Sequence, residues 1–132
     1  MRQTKNKWNK IDDPLTFYGD ITIERRGQTS KDFPKMCFRL ETVNPDGSNM
    51  DTSIMGMPSD NDWILLSNYG DKTMLRNELT FYIGRRLGHY EPRTRYCELV
   101  LNGEFVGLYY FIEKIKRGKE RVSVAKRDSI NP

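Results

Sequence analysis

The sequence predicts an α+β fold, an antiparallel β-sheet with one main α-helix packed on it. Three observations carry that reading. Two apolar runs, Tyr96 to Leu101 and Glu104 to Ile112, are joined by Asn102-Gly103, the pair favoured in tight primed hairpin turns. Leu75, Leu79, Tyr82, Ile83 and Leu87 recur at helical spacing. Ahead of that helix, two stretches near Ile21 and Phe38 have the composition and alternation of strands. At 132 residues the chain has room for one domain of ordinary size.

Taken in order, residues 1–19 alternate charge with Asn, Asp13-Pro14 and isolated aromatics, and read as a flexible basic arm. Ile21, Thr22 and Ile23 favour a strand that breaks at Arg25-Arg26-Gly27-Gln28-Thr29-Ser30, a polar turn containing a glycine. Extended structure resumes from Lys35 to Thr42, with Met36, Phe38 and Leu40 on one face and Cys37 and Arg39 on the other. Asn44-Pro45-Asp46-Gly47 is a turn. The run Trp63-Ile64-Leu65-Leu66 is either a short buried strand or a helical turn. Asp71 opens the helix and can cap its first amides, and Gly88 stands where a C-terminal stop belongs. After the hairpin, residues 113–120 turn polar and basic, and Arg121 to Val124 offer a last short strand. The domain therefore spans 20–125, with residues 126–132 as a tail.

Composition narrows the class. Hydrophobic residues make up 36% and mean hydropathy is −0.75, so the core is lean and one face is expected to rest against another domain. The net charge of +4 is concentrated at the ends. Residues 1–10 hold four basic side chains and no acid, and residues 113–127 hold seven against two acids. Such runs are usually solvated faces, and no interleaved basic and aromatic stripe points to nucleic acid. Cys37 and Cys97 lie apart, without the paired spacing of structural zinc, and read as reduced thiols. No apolar stretch is long enough to span a membrane, and the first residues lack the apolar core of a signal peptide.

The residues with chemical potential are Arg26, Thr29, Ser30 and Lys35, gathered around Gly27 between two strands. Cationic side chains and backbone amides at a glycine turn can wrap phosphate oxygens; the same spacing also suits an ordinary solvated hairpin turn. Asp60 and Asp62 flank a loop, Asp12 and Asp13 lie in the arm, and none forms a metal constellation. His89, after the helix, has no evident partner and reads as a surface residue.

Several separated segments sharpen this reading. RRGQTSKDFPK with FRL, then MGMPSDNDWILLSNYGDKTMLRNEL, RRLG, and YEPRTRYCELVLNGEFVGLYYFIEKIKRGKERVSV resemble, in order and spacing, the CotH (spore coat protein H-like) kinase family. The resemblance covers roughly residues 20–125. It implies an atypical protein kinase, secreted or at a cell or spore surface, that moves the γ-phosphoryl of ATP onto serine or threonine of a protein substrate with Mg or Mn. The part present resembles the amino-terminal lobe.

By that resemblance the turn at Arg26 to Ser30 and the strand at Lys35 face the phosphates, with Lys35 as the anchoring cation. The family commonly has a second basic residue after it, where this chain has Met36 and Cys37. Asp71, Arg76 and Asn77 fall in the family's most characteristic run. Arg76 and Asn77 either point to the cleft or, with Asp71 as cap, tie the helix in place. Glu78 is a weaker candidate partner for Lys35. Glu113 ends the strand that leads to the adenine-side hinge. The carboxylates that hold metal belong to a later stretch of the family pattern, so a carboxy-terminal lobe is the expected partner and the isolated chain is expected to transfer little phosphate. The other reading is a non-catalytic module that binds a protein or nucleotide on the same scaffold.

Overall fold

The computed structural model describes residues 1, 9–10 and 12–125; most of the expected basic arm and the tail at 126–132 lie outside the described residues. Five strands form one antiparallel sheet: β1 (Asp20–Arg26), β2 (Cys37–Val43), β3 (Asp62–Leu66), β4 (Thr94–Leu101) and β5 (Glu104–Glu113), in the order β1-β2-β3-β5-β4. One helix, α1 (Arg76–Arg86), completes an α+β arrangement. The ambiguous run at Trp63 is a strand at the centre of the sheet, hydrogen-bonded on both sides. That position explains its unbroken apolar character, since a central strand buries both faces.

Register sorts the side chains. Phe38 lies opposite Leu65 and Leu40 opposite Trp63, and Leu65 in turn opposes Phe111. These residues, with Tyr109 and with Ile54 and Met57 from the connection between β2 and β3, form the main core on one face. The other face carries Ile64, Tyr110 and Ile112, also buried. The β4–β5 hairpin turns at Asn102 (φ 53°) and Gly103 (φ 85°), the two positive angles of a type I′ turn. A bulge between Leu99 and Val100 follows, and Gly107 adopts φ 116° beside it.

The helix departs from expectation. It begins at Arg76, five residues after Asp71, and none of its residues is buried. The apolar stripe expected to pack on the sheet faces outward: Leu75, Leu79, Tyr82, Ile83 and Leu87 are all exposed. Polar anchors hold the opposite side instead. Glu78 accepts a hydrogen bond from Thr94 and pairs with Arg85 at 3.2 Å, while Arg85 donates to the Pro92 carbonyl at 2.8 Å. Gly84 belongs to this inner side, where a Cβ would lie 2.5 Å from Glu91. Periodicity reveals that a helix has an apolar face, but not which body covers it.

The basic run after β5 departs too. Glu113 is fully buried and Arg121 is 4% exposed. Oε1 of Glu113 accepts from Arg121 at 2.7 Å and from Arg93 at 2.9 Å, and its Oε2 accepts the Arg93 backbone N–H at 2.9 Å. The Arg121 guanidinium lies 5.5 Å from the Trp63 ring centroid. Next to this cluster, Asp62 accepts from Lys114 and Lys116, each at 2.8 Å, and Lys116 reaches Asp60 at 2.7 Å. Lys114, Lys116 and Arg121 are therefore internal ion-pair partners and not a solvated face. Of the arm, Phe17 packs against the core and its carbonyl accepts from the Met1 ammonium at 2.8 Å.

Two outcomes follow. Glu113→Gln leaves a buried guanidinium without its main counter-charge and should cost about 3–5 kcal/mol of stability, read as a lower urea midpoint at unchanged slope. Burial disfavours the Asp62 carboxylate, but hydrogen bonds and charge from Lys114 and Lys116 outweigh it and hold the carboxyl well below the usual range. A depressed folded value means stabilisation that is complete above about pH 4 and lost as pH falls further. Asp62→Asn should therefore flatten the acid limb of the melting temperature against pH, and an unchanged acid limb would count against this ion-pair assignment.

Candidate functional site

The strand ends divide the expected site residues. One end of the sheet gathers the end of β1, the start of β2, the end of β3 and the β4–β5 hairpin. Lys35 sits there, half-buried, ahead of β2. Its ammonium donates to the Ser67 carbonyl at 3.2 Å and to the Leu108 carbonyl, and lies 4.5 Å from the Tyr109 ring centroid. Its stem runs past Gly107, where an added Cβ would lie 3.7 Å from Cε. Desolvation lowers the Lys35 pKa from the ordinary lysine value. Among the described residues no carboxylate pairs with it, and Glu78, the weaker candidate, is taken by Thr94 and Arg85.

The turn before Lys35 packs beside the loop before α1. Phe33 meets Tyr69 in a tilted ring contact at 5.3 Å between centroids, and the Lys72 ammonium lies 4.6 Å from the Tyr69 ring centroid. Ser30 lies half-buried in a 3-10 turn over Thr29–Asp32. The side chain of Thr29 lies outside the described part of the structure. In the adjoining loop, Asp71 accepts from the Thr73 hydroxyl at 2.7 Å, the Thr73 amide at 3.1 Å and the Arg76 amide at 3.0 Å. These bonds, the Thr73 hydroxyl first, lower its pKa. Asp71 thus caps the helix from five residues upstream, and Arg76 closes back on it at 3.7 Å. Asn77 donates to the Asn68 side-chain oxygen at 3.1 Å. Lys35 and the helix start are linked through the neighbours Ser67 and Asn68.

Arg26 and Glu113 lie elsewhere. Arg26 opposes Cys37 in register, and strand alternation puts it on the face with Thr22 and Glu24, whereas Lys35 lies over Tyr109 on the face with Phe38 and Phe111. The sheet therefore separates the two cations, and they share no cradle. Glu113 ends β5 at the opposite edge, about 17 Å along the strand from Leu108. Its carboxylate is engaged by Arg93 and Arg121.

Between these ends, on the Phe38 and Phe111 face, runs a trough of about 790 Å³. Leu40, Trp63, Leu65, Leu99 and Phe111 line it, with Phe17 and Met55 at its margin. Its volume falls in the range of small-molecule sites. Cys97 also lines it, its thiol pushed up to about 11 by burial.

The CotH kinase protein family model matches residues 23–130, most of the chain. The chain belongs to the CotH kinase family. No curated protein matches it. In this CotH kinase family member, no group of three or more His, Cys, Asp or Glu among the described residues could hold a metal ion. No helix among them is long and apolar enough to cross a membrane.

Several residues of this region were not legible in advance. The Ser67 and Leu108 groups that hold Lys35 are backbone carbonyls, which any side chain would supply. Trp63 and Phe111 read as core and are core, packed beneath the trough that the surrounding residues line. Removing the cap tests the local reading: Asp71→Ala should fray the first turn of α1, seen as reduced helical signal by circular dichroism, while Asp71→Asn retains part of it.

Proposed function

We propose that this chain is the nucleotide-binding lobe of a CotH-like protein kinase, with ATP phosphates at the Lys35 end of the trough and the base along its apolar floor. The observation that carries the proposal is the state of Lys35. Its positive charge is partly desolvated and held only by neutral carbonyls and a ring face, while Lys114, Lys116 and Arg121 are all paired with carboxylates. A cation in that condition gains from a phosphate oxygen, because charge-assisted bonds are stronger away from bulk water. Family membership makes a nucleotide the natural anion.

The surrounding residues suit that role. Ser30 lies in the turn packed beside the helix-start loop, and can offer its hydroxyl there. Arg76, with its side chain 79% exposed, is free to swing from its long contact with Asp71. Asn77 and Asp71 fix the helix start that presents Arg76. Trp63, Leu65 and Phe111 are packed beneath the trough, and the more accessible lining residues Ile21, Leu99 and Leu108 offer apolar contact to an aromatic base. Glu113 shapes the far end by anchoring the chain after β5, and Arg26, on the other face, is given no direct contact.

ATP would supply the γ-phosphoryl group for transfer to a serine or threonine hydroxyl of a protein. Such transfer relies on carboxylates to hold Mg or Mn and to orient the acceptor. Asp60 and Asp62 are held by lysines, Asp71 by the helix start and Glu78 by Arg85 and Thr94, and Glu98, which lines the trough, belongs to no group of three or more His, Cys, Asp or Glu among the described residues. They do not offer a metal ligand set. Binding without transfer is therefore the behaviour expected of this chain alone, which is also the property of a non-catalytic module on the same scaffold.

Titration with a fluorescent ATP analogue should show saturable binding, weakened about tenfold or more by Lys35→Met, which keeps the stem and removes the charge. Phosphate incorporation into a generic protein acceptor with Mg or Mn should stay at background. Equal affinity of the Lys35→Met variant would remove the anchor role, and sustained turnover would show that the carboxylates are more available than their pairing implies.

A further inference from the structure

The outward face of α1 is not used by any reading so far. At roughly 100° per residue, Leu75, Leu79, Ile83 and Leu87 form one ridge spaced four apart, with Tyr82 beside it. All five are 48–70% exposed. The inner side is already filled by Glu78, Phe81, Gly84 and Arg85, so rotation of the helix would break the bonds to Thr94 and Pro92. The Tyr96 hydroxyl, donating to the Met74 carbonyl at 2.6 Å, and Tyr110 pin the helix start as well. An apolar ridge held outward by polar bonds is a surface set for contact, since scattered exposed residues would not align along about 18 Å of helix.

The charges say what fits. Arg76 and Arg86 lie on this outward arc and no carboxylate does, because Glu78 points inward and Asp71 is bound to Thr73 and the Arg76 amide. Among the described residues Arg86 has no ion-pair partner. A second copy packing on the ridge would set arginine against arginine, Arg76 to Arg86 when antiparallel and Arg76 to Arg76 when parallel. Helices that lie on membranes carry their cations on the polar side away from the apolar stripe. Here that polar side is tied to Thr94 and Pro92 by hydrogen bonds, and Arg86 stands within the stripe.

We propose that the outward face of α1 is a docking surface for a helix of another protein segment, one that brings an apolar ridge and flanking carboxylates. A four-spaced ridge packs into the grooves of a second helix, and carboxylates on that helix would meet Arg76 and Arg86. Arg76 enters both readings, but Leu79 and Arg86 have no part in nucleotide binding, so substitutions there test this surface separately.

The probe is a pair of fluorescent helical peptides of about 20 residues with the same leucine ridge, one flanked by glutamate and one by lysine. Anisotropy with the whole chain should show the glutamate peptide binding about tenfold or more tighter than the lysine peptide, with the difference shrinking as salt rises. Leu79→Ser should weaken it about tenfold or more. Arg86→Glu should shift preference towards the lysine peptide. Both positions are exposed, and unchanged circular dichroism and melting temperature would show that the fold persists. Binding of neither peptide, or equal binding of both, overturns the proposal. Leu79-dependent binding to phosphatidylserine vesicles, or a Leu79-dependent dimer in sedimentation, overturns it in favour of a membrane or a second copy.

Discussion

A carboxylate with no access to water closes β5, the inner strand next to the centre of this sheet. Arg93 and Arg121 supply donors to the Glu113 carboxylate on both sides, and the buried Arg121 is received by Glu113, Asp60 and the Trp63 ring. The consequence is geometric. The chain after β5 must fold back so that residue 121 reaches residue 113, which brings Lys114 and Lys116 onto Asp62 and Asp60 at the start of β3. One buried carboxylate thus sets the course of the basic segment and fastens β3 and β5 at the same end.

This explains why some of the molecule could be read from the residues and some could not. The hairpin was legible because Asn102-Gly103 meets a local steric requirement that few other pairs meet. The strand at Phe38 and the helix were legible from period alone. The pairing of Lys114, Lys116 and Arg121 was not legible because a lysine in solvent and a lysine on a carboxylate forty to sixty residues away in sequence look identical in composition. The orientation of α1 was misread for a related reason. Spacing reveals an apolar stripe, and the prior that stripes face the core is strong, but the inner contacts here are set by Glu78, Arg85 and Gly84, whose partners Thr94, Pro92 and Glu91 lie beyond the helix.

The candidate site shows the same division. Asp71, Arg76 and Asn77 were found together by motif, and they are together, joined by bonds that span no more than nine residues. Arg26 and Lys35 were grouped by nearness in sequence, and the alternation of strands set them on opposite faces. A turn between antiparallel strands brings its ends close in space but does not make their side chains share a side. Lys35 escapes the strand rule because it precedes β2 and reaches across to β3 and β5 through backbone carbonyls.

The two edges of the sheet consequently differ in kind. At the Glu113 edge the cations meet carboxylates, and the result is cohesion. At the Lys35 edge a cation is drawn partly out of water onto neutral groups, which costs solvation and returns less attraction than a carboxylate would give. Packing alone does not require that arrangement, since a methionine stem would pass Gly107 and cover Tyr109 equally well. A charge kept in an unfavourable setting, held in part by the carbonyl of Leu108, which also lines the apolar trough, is what leads us to propose an anion that completes its coordination. The α1 ridge differs in what it lacks, apolar contact with carboxylates at its rim, so the two partners we propose would meet opposite faces of one small sheet.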